Sequence, residues 1–154
     1  MKNTHTVLKL VAATLLTCTA GLAAAAGSQT LAVTASVQGI CKFSAASTPL
    51  TFGSIDPSST VNKVTTANVL YKCTKGTASL GVTATGGLAR NMISGTTADT
   101  LGYTLSFTGD TSTGTGFGPG TDLTMVATGT ITPAQFQNVT AASYAENVTL
   151  NITP

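Results

Sequence analysis

The chain has 154 residues, 42% of them hydrophobic and only 8% charged, with 16 Gly, no Trp and a formal net charge of +2. Its seven basic and five acidic residues form no stripe that could follow a phosphate backbone, so nothing supports nucleic-acid binding. The length suits one domain rather than two.

Lys2 and Lys9 flank the start of an apolar, Ala-rich run from Val7 to Ala26, and Ala24-x-Ala26 has the small-residue pattern of a cleavage site. Residues 1–26 are therefore expected to be a secretory signal peptide. Thr14, Thr17 and Thr19 weaken the run as a membrane anchor, and no stop-transfer charge follows it. Cys18 raises a lipid-modified alternative, against which stand the Thr before it and the Ala-rich continuation beyond. Cleavage after Ala26 would leave a neutral chain: Lys42, Lys63, Lys72, Lys75 and Arg90 balance Asp56, Asp99, Asp110, Asp122 and Glu146. A chain of that size can bury about two-thirds of its extended surface, so one true core is possible. Two cysteines would remain, Cys41 and Cys73. An even pair sent to an oxidising compartment predicts a disulfide, the other reading being two buried free thiols.

Next comes SQTLAVTASVQGICKF, residues 28–43. Leu31, Val33, Ala35 and Val37 fall on one side and Ala32, Thr34, Ser36 and Gln38 on the other, the alternation of a strand with one dry face. Strands are expected near 29–41, 50–54, 67–74, 78–84, 101–107, 123–129 and 145–153. Residues 85–100 and 108–122 read as loops, and ITPAQFQ as one helical turn after Pro133. Seven short strands punctuated by Gly, Asn, Asp and Pro point to an all-β antiparallel sandwich. Its core would use Leu50, Phe52, Val69, Tyr71, Leu80, Val82, Leu101, Tyr103, Leu105, Val126, Val148, Leu150 and Ile152. The last stretch, AENVTLNITP, sets Val148, Leu150 and Ile152 on one face, and the strand that usually follows in an immunoglobulin-like sandwich is not there.

The chemistry of catalysis is sparse. The one histidine, His5, lies in the expected leader, which removes the usual base of a hydrolytic triad and the commonest zinc ligand. The five carboxylates are scattered among turns, as solvated loop acids would be, and Gly114, Gly116, Gly118 and Gly120 miss the dinucleotide fingerprint. Asn138, Asn147 and Asn151 each begin an N-x-Thr triplet, which so Thr-rich a chain produces by chance. No enzyme activity, cofactor or metal is expected.

Six features then occur in order: the alternating strand leading to Cys41; LTFG at 50–53 with Asp56-Pro57; YKCTKG at 71–76; Arg90-x-Met92; LGYTLSF at 101–107 with FGPG at 117–120; and YAENVTLNI at 144–152. In this the chain resembles the spore coat protein U domain family, which includes subunits of archaic chaperone–usher pili. The family's aromatic-Gly-Asp-Gly turn reads Phe117-Gly118-Pro119-Gly120 here. The resemblance implies an immunoglobulin-like sandwich lacking its last strand, kept soluble by a periplasmic chaperone and polymerised through an outer-membrane usher onto other copies of itself or related pilins. Residues 27–40 would be a donor strand and 41–154 the pilin domain. Leu31, Val33, Ala35 and Val37 would enter a neighbour's groove beside Val148, Leu150 and Ile152, a case of β-augmentation. Alternatively, 29–38 folds back as the first strand of its own domain, with Gly39 as a turn. Arg90 and Met92 are expected to anchor a loop, and Tyr71 and Tyr103 to pack in the core or at its rim. The implied product is a secreted pilus serving adhesion or biofilm formation. A coat protein or surface-binding adhesin of the same fold is the alternative.

Overall fold

The computed structural model describes residues 27–154. The expected leader, with His5 and Cys18, lies outside the described residues. Contacts divide the chain into two units, residues 1–35 and 36–154. Residues 27–35 of the first carry no helix or strand and are exposed.

The second unit is nearly all β. Its largest sheet holds β1 (Cys41–Phe43), β2 (Lys63–Cys73), β4 (Ala89–Ser94), β5 (Thr100–Thr108), β6 (Leu123–Ile131) and β7 (Tyr144–Ala145) in the order β1-β2-β6-β5-β4-β7. Every neighbouring pair runs antiparallel. The smaller sheet pairs β3 (Gly81–Ala84) with β8 (Leu150–Thr153). A four-residue helix, α1 (Pro133–Phe136), follows β6, with Pro133 in its first turn. The Gln135 side chain reaches back to accept the Thr132 N–H at 2.8 Å.

Alternation decides which faces meet. Val69, Tyr71 and Cys73 on β2 point inward, as do Leu101, Tyr103 and Leu105 on β5 and Met125, Ala127 and Ile131 on β6. Val69, Tyr71, Cys73, Met125 and Ala127 pack with Val82 under Leu150 and Ile152, so the smaller sheet covers one half of the large one. The opposite face of the large sheet carries cross-strand hydroxyls, Thr66 opposite Thr128 and Thr104 opposite Thr130. Cys41 and Cys73 are register partners, 4.1 Å apart at Cα, and form a disulfide.

Several expectations need correction. Residues 29–40 form no strand, because strand pairing needs a ladder and theirs begins only at Cys41. Residues 50–54 form none either: Leu50 and Phe52 instead lay their side chains over Gly129, whose absent Cβ would meet them at 2.9 and 2.7 Å. The expected loop 85–100 contains β4, whose inward alternation is carried by Arg90 and Met92 rather than by aliphatics. The stretch 145–153 divides into β7 and β8. Leu80 is 75% exposed, just before β3. Val126 lies opposite Asn68, on the strand phase opposite to buried Met125 and Ala127, which take the inward positions.

Candidate functional site

The smaller sheet covers only part of the larger one; the rest is covered by residues that belong to no long strand, with Leu50, Phe52, Ile55, Val148 and Leu150 packed against it, and a cleft of about 1360 Å³ runs among them. Leu101, Tyr103 and Leu105 of β5 make its floor with Val69 and Ala127. Residues 43–55, with Leu50, Phe52 and Ile55, form one wall, and residues 139–150 form the other. Phe52 meets Tyr103 edge to face at 5.9 Å between ring centroids. Its floor is apolar because those residues face the core of the sandwich, whereas its walls mix Leu50, Phe52, Ile55 and Val148 with polar residues such as Thr48, Thr51, Thr140 and Asn147.

Of the expected groove-edge residues, Val148 and Leu150 line this space. Ile152 does not; it packs beside Val82 over Cys73. All three are half-buried. Among the described residues β8 has one ladder partner, β3, and β7 ends at Ala145, so Glu146–Thr149 bridge the two in no strand. Thr85 donates its N–H to the Thr149 carbonyl at 2.9 Å and pins one end of that bridge.

The expected donor residues Leu31, Val33, Ala35 and Val37 are exposed, Leu31 and Val33 by 84% and 81%. Where this segment joins the body it is fixed: the Thr74 hydroxyl accepts the Ile40 N–H at 3.1 Å and donates to the Gln38 carbonyl at 3.0 Å. Gly39 passes so close to Thr77 that a Cβ would lie 2.8 Å from its hydroxyl.

Two lining residues, Tyr103 and Glu146, form one polar cluster with Arg90. Glu146 is ion-paired with Arg90 through Nη2, and Tyr103 donates its hydroxyl to Glu146 Oε2 at 2.8 Å. Arg90 Nη1 also donates to the carbonyls of Thr85 and Gly87. Burial works to raise the Glu146 carboxyl, but the hydrogen bonds from Arg90 and Tyr103 outweigh it and hold the group below its ordinary value. Burial, then Glu146, pushes the Tyr103 phenol up to about 12, so it remains a donor at neutral pH. Sequence reasoning placed Glu146 among scattered solvated acids. The signal available was its position two residues after Tyr144 in the terminal motif, together with Arg90 on an otherwise unassigned strand.

The other carboxylates are also engaged locally. Asp110 accepts the Val82 N–H at 2.9 Å, at the start of β3. Asp122 pairs with Lys72 at 3.5 Å and accepts the Ser44 hydroxyl, while Lys72 holds the Gly118 carbonyl, so this set fastens the 108–122 loop. Thr140 and Ser58 hydroxyls lower Asp99 and Asp56 respectively. Among the described residues no three His, Cys, Asp or Glu side chains gather as a metal site.

A family model, that of the spore coat protein U domain, matches residues 27–151 of the chain. The chain belongs to that family. The spore coat protein U domain family is one of chaperone–usher pilus subunits. Comparison with curated proteins and with solved structures gives no match. In this spore coat protein U domain the matched span takes in the exposed alternating segment, the disulfide, the groove floor and the first two residues of β8.

Proposed function

We propose that the chain is a structural subunit of an extracellular fibre, exported through the periplasm, escorted by a chaperone to an outer-membrane usher and polymerised by donor-strand complementation. Residues 29–38 of one copy would complete the sandwich of the next, with Leu31, Val33, Ala35 and Val37 pointing into the groove beside Val148 and Leu150. A surface-attached fibre would serve adhesion or biofilm formation.

The observation that carries this reading is a match within one chain. A cleft with an apolar floor lies beside an edge strand with a single ladder partner, and an exposed segment alternates at strand spacing. Each of the four apolar side chains would contribute roughly 1–3 kcal/mol on burial, Ala35 least. About ten main-chain hydrogen bonds would add around 1 kcal/mol each. Such a contact would be close to permanent.

Placing a carboxylate on the inward face would strand an unpaired charge among apolar groups, at a cost of several kcal/mol. Val33→Asp and Val37→Asp should therefore abolish polymers in non-denaturing electrophoresis and leave chaperone-bound monomer, whereas Thr34→Asp on the other face should polymerise. Moving residues 29–38 behind a flexible linker at the C-terminus should give a soluble, self-complemented monomer. A mature chain that is a stable monomer without any chaperone, with both inward Asp variants behaving like it, would refute the reading.

A further inference from the structure

Residues 36–40 belong to no helix or strand, yet the main chain of the last three is engaged by the body. Ile40 donates its N–H to the Thr74 hydroxyl at 3.1 Å, and its carbonyl accepts the Thr74 N–H at 2.9 Å. Two residues earlier, the Gln38 carbonyl accepts the Thr74 hydroxyl at 3.0 Å. Between them Gly39 lies against Thr77, where a Cβ would stand 2.8 Å from the hydroxyl oxygen. One threonine thus holds three main-chain groups, and a side chain at position 39 would have to displace a second threonine.

Thr74 is itself a fixed point. It follows β2 directly, beside the disulfide that joins Cys73 to Cys41, the residue after Ile40. Its carbonyl accepts the Thr77 N–H at 2.8 Å. Gly76 donates to the Gly114 carbonyl at 2.9 Å, and Gly114 donates back to the Thr77 carbonyl at 2.7 Å. Singly, hydrogen bonds at the surface are weakened by water. Here they converge on one residue flanked by a covalent bridge, so Gln38–Ile40 move with the end of β2. The chain leaves this block at Val37, which is 85% exposed.

A flexible tether needs several residues free to rotate. Gln38 gives its carbonyl to its own body, so a neighbour's hold on the segment would end at Val37. No free residue would then separate what the neighbour grips from what the body grips. We propose that Gln38–Ile40, clamped by Thr74 and Thr77, form a stiff joint that fixes the angle between successive copies in the fibre. This rests on the reading that residues 29–38 of one copy are held by the next. Thr74 is the positioning residue, because Thr74→Val keeps its shape but loses both the acceptor for Ile40 and the donor to Gln38.

The test compares fibres assembled from the full chain by electron microscopy, with persistence length read from their contours. Thr74→Val should assemble and melt close to wild type, but its persistence length should fall at least about threefold, toward that of loosely linked beads. Insertion of Gly-Ser-Gly between Val37 and Gln38 leaves the clamp intact and adds a flexible tether, so it should shorten the persistence length at least as much. It carries the test if Thr74→Val fails to fold. A merely structural role for Thr74 would lower the melting temperature and leave fibre bending unchanged. Wild-type persistence length in the Thr74→Val fibre, or in the insertion fibre, would overturn the stiff joint. A wild-type chain that forms no fibre would instead overturn the donor-strand reading beneath it.

Discussion

Removal of the Cys41–Cys73 bond offers a quantitative test of how the fold holds its first strand. β1 has three residues and one ladder partner, β2. The two cysteines are 32 positions apart, so the bond closes a loop of 33 residues. In the chain-entropy account a loop of that size restricts the unfolded chain by about 3.7 kcal/mol at 25 °C. At about 3–5 °C per kcal/mol for a chain of this size, loss of the bond should lower the melting temperature by about 10–20 °C. Cys73 is fully buried, so substitution adds a packing cost that reduction alone does not. The comparison is therefore between oxidised chain, reduced chain and Cys41→Ser with Cys73→Ser. With three Tyr and no Trp in the chain, urea unfolding can be read from tyrosine fluorescence. Both reduced and double-variant chains should lose about 3–4 kcal/mol, the variant slightly more. A loss below about 1 kcal/mol on reduction would show that the 44–62 connection already restricts the unfolded chain, and would refute the loop argument.

Other outcomes follow from particular contacts. Gly114→Ala would push a Cβ to 2.4 Å from the Cys73 carbonyl oxygen, while Gly114 is pinned by backbone bonds to Thr77 and Gly76, so it should cost about 3 kcal/mol or more in urea unfolding. Gly129→Ala presses on the far ends of Phe52 and Leu50, which can yield, so about 1–3 kcal/mol is expected. Asp56, Asp99 and Glu146 are held below ordinary values of 3.8, 3.8 and 4.5. The stability they add is complete above those values and is lost as pH falls from them through the lower folded values, so acid unfolding should begin only below about pH 4.5. Residues 27–154 hold no histidine, so stability should be flat between about pH 5 and 8. Hydrolase, transferase and redox assays should give no turnover, and a rate abolished by changing Asp99, Asp110 or Asp122 would overturn that expectation.

The sequence was readable where a strand's own alternation settles its face. Leu101, Tyr103 and Leu105 are inward on β5, and Val69 and Tyr71 on β2, as their spacing indicates. It was not readable where the partner decides. In LTMVATGTI two interleaved sets compete, and Val126 looked the stronger core residue until pairing placed Met125 and Ala127 inside. β4 was hidden because its inward positions are Arg90 and Met92, and a charge at a core position is legible only with its partner, 56 residues away. LTFG suggested a strand, but its packing requires the missing side chain of Gly129, a fact about another segment. Glu146 failed for the same reason: its role lies wholly in what Tyr103 and Arg90 bring to it.

The placement of the disulfide also has a mechanical meaning. The covalent bridge joins the residue at which the exposed N-terminal segment enters the large sheet to the last residue of β2, which lies second from the sheet's edge and shares a nine-residue register with β6. Tension applied through residues 36–40 reaches Cys41 and passes directly into β2, bypassing the three ladder positions of β1. The short edge strand is thereby spared from being peeled off one hydrogen bond at a time. The force must instead shear the long β2–β6 pairing, in which many bonds are strained together. A subunit pulled by its leading segment would thus extend by little until β2 itself gives way, and a reducing agent would convert the same subunit into one that unzips from its first strand at much lower force.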